Sequence, residues 1–168
     1  MGAGKTTIGK ALAATLGVTF YDLDWYITMR YRRSVSDIFA ERSEAGFRDL
    51  EQRMLHEVAE FENIVLSCGG GTPCFFDNME YMNTLAQTVY LKAEPDVLTQ
   101  HLLMGKGHRP LIEGKTPDEL RAYIQETLTL REPFYTQAKH IIDISLLDSV
   151  GKIDECIQYI LKELRIGN

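Results

Sequence analysis

The first seven residues, MGAGKTT, carry the plainest chemistry in the chain. Gly2, Gly4, Lys5, Thr6 and Thr7 follow the back half of the phosphate-binding loop G-x-x-x-x-G-K-[ST]. Glycines let such a loop curl until its backbone N–H groups, Ala3 among them, converge on phosphate oxygens. Lys5 would bring a mobile positive charge to the β- and γ-phosphates, and the Thr6 hydroxyl would ligate Mg²⁺. Further along stand Asp22 and Asp24, in YDLD. Spaced i, i+2 in an extended segment, both carboxylates face one way. They could hold metal-bound water and orient an acceptor hydroxyl. They could equally serve as a helix N-cap at Asp24 with Asp22 in a turn; a phosphate loop nearby favours the first reading.

Other candidates need the fold to bring them in. Arg48, beside the apolar Phe47, is either a solvated surface group or a bidentate grip on a carboxylate. Gly69, Gly70 and Gly71 follow an apolar run. Three successive glycines are costly in entropy, and close approach of backbone to a small ligand explains them better than a flexible loop. Ser67, just before them, could support a metal-bound water. Arg109 sits in GKGHRPLIEGKTP, a stretch rich in glycine and proline over residues 105–117. Loops of this kind often close as lids, where an arginine can place charge on the transferring phosphoryl group. A surface loop with an exposed arginine is the alternative. Arg131 precedes Pro133, where the helix opened by Pro117 is expected to break; it either satisfies a helix dipole or turns into a cleft.

Positioning these groups requires strands that end at them. VTFYDLD, NIVLSC, QTVYLKA and HIIDIS read as short strands, with helical patterns between. The alternation implies βαβ crossovers and a parallel sheet covered on both faces, a three-layer α/β/α fold of the P-loop type. Sites in such sheets lie beyond the carboxyl ends of the strands. TTIGKALAATL gives the helix after the phosphate loop, stopped by Gly17. The region from Trp25 to Glu60 is helical with breaks at RRSVSD, where Ser34 or Ser36 caps, and at RSEAGF. Pro95 and Pro117 open two more helices. A closing helix over residues 149–165 buries Val150, Ile153, Ile157, Ile160, Leu161 and Leu164. The loop motif lacks its first glycine and the strand that feeds it, so Met1 is expected to be an interior residue of a longer loop.

The chain has 168 residues, 45% of them hydrophobic, which suits one domain with a proper core. A formal net charge of −6 argues against a nucleic-acid footprint. No stretch approaches a membrane span. The three cysteines, Cys68, Cys74 and Cys156, lack paired spacing and fit free thiols in a reducing cytosol.

Taken in order, GAGKTT, DLD, GFRDLE, SCGGGTP, HRPL and REPFY resemble the shikimate kinase family over essentially the entire chain. The resemblance implies a small cytoplasmic P-loop kinase, monomeric, that uses Mg²⁺ and ATP to phosphorylate shikimate on its 3-hydroxyl. By that resemblance residues 2–7 cradle the ATP phosphates, Thr6 ligates Mg²⁺ and Asp22 lies near it. Lys5, Asp24 and Arg109 act in catalysis, with Asp24 as general base. Arg48 and Arg131 take the shikimate carboxylate, and Gly69, Gly70 and Gly71 line the same substrate. The substrate-binding region spans about residues 24–60. Relatives place adenine-flanking arginines where this chain has Leu102, Leu103 and ISLLDS, so adenine contacts stay unassigned. A gluconate kinase shares the phosphate loop, but the paired arginines and triple glycine favour shikimate. A nucleotide-binding module without catalysis is the rival of another class; Lys5, Asp24 and Arg109 speak against it.

Overall fold

Local signals set the first elements. In this computed structural model, which describes residues 2–104, 114–145 and 152–165, α1 (Lys5–Leu16) starts at the phosphate-loop lysine. It ends at Gly17, whose φ of +68° only glycine adopts freely. Gly9 lets α1 approach β1 (Thr19–Asp22), because a Cβ there would lie 2.6 Å from the Phe20 ring. β1 then gives way to α2 (Leu23–Tyr31), capped by Asp22, whose carboxylate accepts the Trp25 N–H. Arg32 closes α2 in the left-handed region. Ser34 caps α3 (Val35–Ala59), accepting from the Asp37 N–H at 3.1 Å. The second expected break falls at Ser43, where φ 63° and ψ 173° interrupt α3. β2 (Ile64–Ser67), a 3₁₀ turn at Thr72–Cys74 and α4 (Asn78–Leu85) follow.

The chain divides into two compact units, Thr6–Thr88 and Met1–Lys5 with Val89–Asn168. In the first, β1 and β2 pair in parallel, from Thr19 opposite Ile64 to Asp22 opposite Ser67. α2 and α3 make the crossover, and their apolar faces form the core: Leu23, Ile27, Ile38, Phe47, Leu50, Met54, Leu55 and Val58. Fully burying such a side chain contributes roughly 1.5–3 kcal/mol. Phe39 stacks on Phe47 with centroids 4.2 Å apart, fixing the stretch of α3 that carries Arg48.

The second unit repeats the plan with β3 (Val89–Lys92), α5 (Pro95–Met104), α6 (Pro117–Tyr135), β4 (His140–Asp143) and α7 (Ile153–Glu163). β3 and β4 are parallel, Val89 opposite His140 through Lys92 opposite Asp143. Leu98, Leu102, Leu120, Ile124, Ile142, Ile157 and Ile160 are buried there. Thr116 and Glu119 form a reciprocal capping box at the start of α6. The bonds from Thr116 hold the Glu119 carboxyl below its ordinary value.

The parallel pairing and helical crossovers expected from the sequence are present, and among the described residues the strands lie in two separate pairs. Three local expectations are corrected. Asp22 and Asp24 do not share an extended face: β1 ends at Asp22, its side chain caps α2, and Asp24 enters the first helical turn. The cap is therefore Asp22 and not Asp24. Pro133 does not end α6, which continues to Tyr135; so near a helix end, proline forfeits only the bond to the Thr129 carbonyl. Met1, residues 105–113 of the expected lid with Arg109, and Val150 lie outside the described residues. Among the described residues, Cys68, Cys74 and Cys156 form no disulfide. Among the described residues, no helix is long and apolar enough to cross a membrane.

Candidate active site

The phosphate loop takes the backbone its glycines permit. Gly2 and Gly4 have φ of +73° and +69°. At Gly2 space also matters, since a Cβ would meet the Leu102 side chain and the Leu98 carbonyl, each at 3.0 Å. His101 Nδ1 donates to the Gly2 carbonyl at 3.0 Å, which requires the proton on Nδ1. This histidine supports the loop, and sequence reading gave it no role; nothing local in EPDVLTQHLLM signals it. Ala3 is buried, and Lys5 is the first residue of α1. The loop therefore feeds straight into a helix N-terminus, whose open N–H groups and dipole favour an anion. Thr6 and Thr7 follow in the first turn, both exposed.

Thr6 and Asp22 are brought together. The Thr6 hydroxyl donates to Asp22 Oδ2 at 3.1 Å, while Asp22 Oδ1 accepts from the Trp25 N–H at 3.2 Å. One carboxylate thus caps α2 and faces α1. The two residues line a cavity of about 420 Å³ with Lys10, Phe20 and Trp25. Hydroxyl and carboxylate oxygens at this spacing suit a hard divalent cation. Among the described residues no cluster of three or more His, Cys, Asp or Glu could hold a metal alone. A cation here would take its other ligands from phosphate and water, as Mg²⁺ does in nucleotide sites. Ser67 is buried at the end of β2, opposite Asp22 in the register.

The most constrained group is Arg48. It is 8% exposed, on the buried side of α3 and not on its solvated flank. Nη1 donates to Glu51 Oε2 at 2.7 Å, and Glu51 is itself only 1% exposed. The other oxygen of Glu51 accepts from the Thr72 hydroxyl at 2.7 Å, and the Thr72 carbonyl accepts from Asn78 Nδ2 at 2.9 Å. The Phe75 ring covers the guanidinium, its centroid 4.3 Å from Cζ. Removing one member of a buried pair like Arg48–Glu51 leaves an uncompensated charge, at a cost of about 3–5 kcal/mol.

The outer two of the three glycines are explained by the side chains packed against them. A Cβ at Gly71 would lie 2.6, 2.7 and 2.8 Å from Nη2, Nη1 and Cζ of Arg48. A Cβ at Gly69 would lie 3.3 Å from the Thr72 hydroxyl and 3.5 Å from carboxylate oxygens of both Asp24 and Glu51. So Asp24, Arg48, Gly69 and Gly71 gather around Glu51, with Gly70 between the two outer glycines. Glu51, Thr72, Phe75 and Asn78 were missed as site residues. The signal for Glu51 was its spacing three residues after Arg48 on a helix; the others approach only through the fold.

Among the described residues, one donor of this cluster lacks a partner. Arg48 Nε is buried and has no hydrogen-bond acceptor. Among the described residues Nη2 reaches the exposed Glu44, at 3.3 Å. The Nε–Nη2 edge is the side-on fork that takes a carboxylate with two parallel bonds. Arg131 stands half-buried on α6, in the other unit. In that unit Lys92 donates to Glu132, the residue after Arg131, at 2.7 Å.

Comparison with known proteins adds the lineage. The sequence model of the shikimate kinase family matches residues 1–165. A shikimate kinase of Bacteroides thetaiotaomicron is 52% identical over 166 residues, which cover 99% of this chain and 95% of that relative. The crystal structure of shikimate kinase from Bacteroides thetaiotaomicron gives a TM-score of 0.96 at 52% identity, covering 99% of this chain and 94% of that one. Shikimate kinase from Acinetobacter baumannii in complex with shikimate gives a TM-score of 0.84 at 31% identity, over 98% of this chain and 88% of that one. With its phosphate loop, parallel strands and buried arginine accounted for, the chain belongs to the shikimate kinase family.

Proposed function

We propose that this chain transfers the γ-phosphoryl group of ATP to the 3-hydroxyl of shikimate, giving shikimate 3-phosphate and ADP. The observation that carries the reading is the Nε–Nη2 edge of Arg48: a buried, pinned guanidinium with one donor unmatched. An acceptor with a carboxylate at one end and hydroxyls at the other satisfies that edge and reaches Asp24. Arg131 supplies the second charge to the carboxylate, and the backbone of Gly69, Gly70 and Gly71 lies along the ring.

Residues 2–7 cradle the ATP phosphates, with Lys5 neutralising charge at the β- and γ-groups and Arg109 closing over them. Thr6 and Asp22 would hold Mg²⁺, which would supply positive charge to neutralise the phosphates. Asp24 binds the acceptor hydroxyl and takes its proton. The freed oxygen bonds to the γ-phosphorus as the bond from phosphorus to the β–γ bridging oxygen breaks, and ADP leaves with that electron pair. Positioning and charge neutralisation supply most of the acceleration. The two units work as one kinase domain, a cytoplasmic monomer that binds neither nucleic acid nor membrane.

The test is ADP release by the chain with Mg·ATP, with shikimate or gluconate as acceptor. Turnover with shikimate and none with gluconate supports the reading. Turnover with gluconate, or with neither, contradicts it.

A further inference from the structure

The pairing of Arg48 with Glu44 is unlike its pairing with Glu51. Glu51 is buried and holds Nη1 at 2.7 Å. Glu44 is 62% exposed and touches Nη2 at 3.3 Å, on the edge where Nε lacks an acceptor. The backbone places it there. Ser43, directly before Glu44, breaks α3 with φ 63° and ψ 173°, a region essentially reserved for glycine. Helix resumes at Glu44, so its carboxylate stands one turn before Arg48, at i, i+4.

We propose that Glu44 is a placeholder carboxylate: it occupies one corner of the Arg48 fork while the acceptor site is empty and gives way to the carboxylate of the incoming acceptor. The proposal rests on the reading of Arg48 as the acceptor clamp. An exposed contact suits the task. Ion pairs of this kind are worth little, so Glu44 steadies the guanidinium edge without closing it to a stronger, two-bond ligand. Its exposed side chain can swing into water at small cost. Glu51, by contrast, is buried on the opposite corner and cannot leave. Glu44 thus sets a threshold that an acceptor must exceed, and it favours ligands that engage both Nε and Nη2 over those that touch Nη2 alone.

The test is calorimetric titration of shikimate, without nucleotide, into the wild type, Glu44→Gln and Arg48→Lys. Removing the Glu44 charge is expected to tighten shikimate binding by up to about fivefold, the scale of an exposed ion pair. ATP affinity should stay at its wild-type value and the melting temperature should fall by no more than about 2–4 °C, the shift a lost exposed pair accounts for, which separates competition at the fork from a structural role. The advantage of Glu44→Gln should also shrink as salt is raised, because exposed pairs are screened. Unchanged or weaker shikimate binding in Glu44→Gln, with Arg48→Lys clearly weakened, overturns the placeholder role and leaves the clamp standing. Unchanged binding in Arg48→Lys overturns the clamp, and the placeholder with it.

Discussion

Replacing Gly71 by alanine should disable acceptor binding through Arg48 while leaving the phosphate loop alone. The backbone at Gly71 has φ −85° and ψ −30°, so alanine meets no conformational strain there. A Gly→Ala change at a compatible site would by itself stabilise by about 0.4–1 kcal/mol. The added Cβ, however, falls 2.6 Å from Nη2 and 2.7 Å from Nη1 of Arg48. Comfortable separation between such atoms is roughly 3.5 Å or more, so the guanidinium must retreat by about 1 Å. It has nowhere easy to go. Glu51 holds Nη1 at 2.7 Å, and the Phe75 ring lies 4.3 Å from Cζ. Overpacking of this kind costs about 1–3 kcal/mol, which outweighs the entropic gain. A catalytic group displaced by about 1 Å loses on the order of 10²-fold. Steady-state kinetics should therefore show kcat/KM for shikimate down by roughly that factor, with KM for ATP unchanged. Urea denaturation should show a modest loss of stability in a protein that still folds. A folded Gly71→Ala variant with wild-type kcat/KM for shikimate would refute the claim that Arg48 and the third glycine form one unit.

Three further outcomes follow from other parts of the molecule. Asp24→Asn should lower turnover by roughly 10²–10⁴-fold while ATP binding persists, the scale of a lost general base; near-normal turnover would remove Asp24 from that role. Ser43→Gly should raise stability to urea, because about 1–3 kcal/mol of backbone strain at φ 63° exceeds the entropy glycine adds to the unfolded chain; a destabilised variant would show that the serine conformation is not strained. The Tyr90 phenol is pushed from 10.0 up to about 12, chiefly by burial and then by the charge of Glu132. Its folded value lies above its unfolded one, so its contribution is fully present below pH 10 and is lost as pH rises from 10 toward 12. The melting temperature should fall across that window, and less steeply in Tyr90→Phe; parallel falls in both proteins would exclude Tyr90.

Much of this architecture was legible because its signals are local. Gly17, Ser34, Pro95 and Pro117 terminate or open helices through their own backbone chemistry, and each does so where its residue type demands. The break at RSEAGF was legible too, although the residue that absorbs it, Ser43, was not distinguished from its neighbours. The two aspartates were misread for a physical reason. The i, i+2 argument assumes a continuing strand, whereas the Asp22 side chain stops the strand by capping the next helix. Arg48 could be nominated from its place beside Phe47, but its burial could not. That depends on Glu51 and on Gly71 and Thr72, about twenty residues further along, whose approach requires β2 to lie beside β1. His101 shows the same limit at greater sequence distance, for it supports Gly2 from α5.

The central claim is that the buried Arg48 fork grips the acceptor and not the nucleotide. Initial rates for the wild type and Arg48→Lys, with shikimate and Mg·ATP varied in turn, test it most directly. Lysine keeps the charge but replaces the planar fork by a point. The account predicts a large rise in KM for shikimate with KM for ATP at its wild-type value. Equal changes in both, or neither, would contradict it.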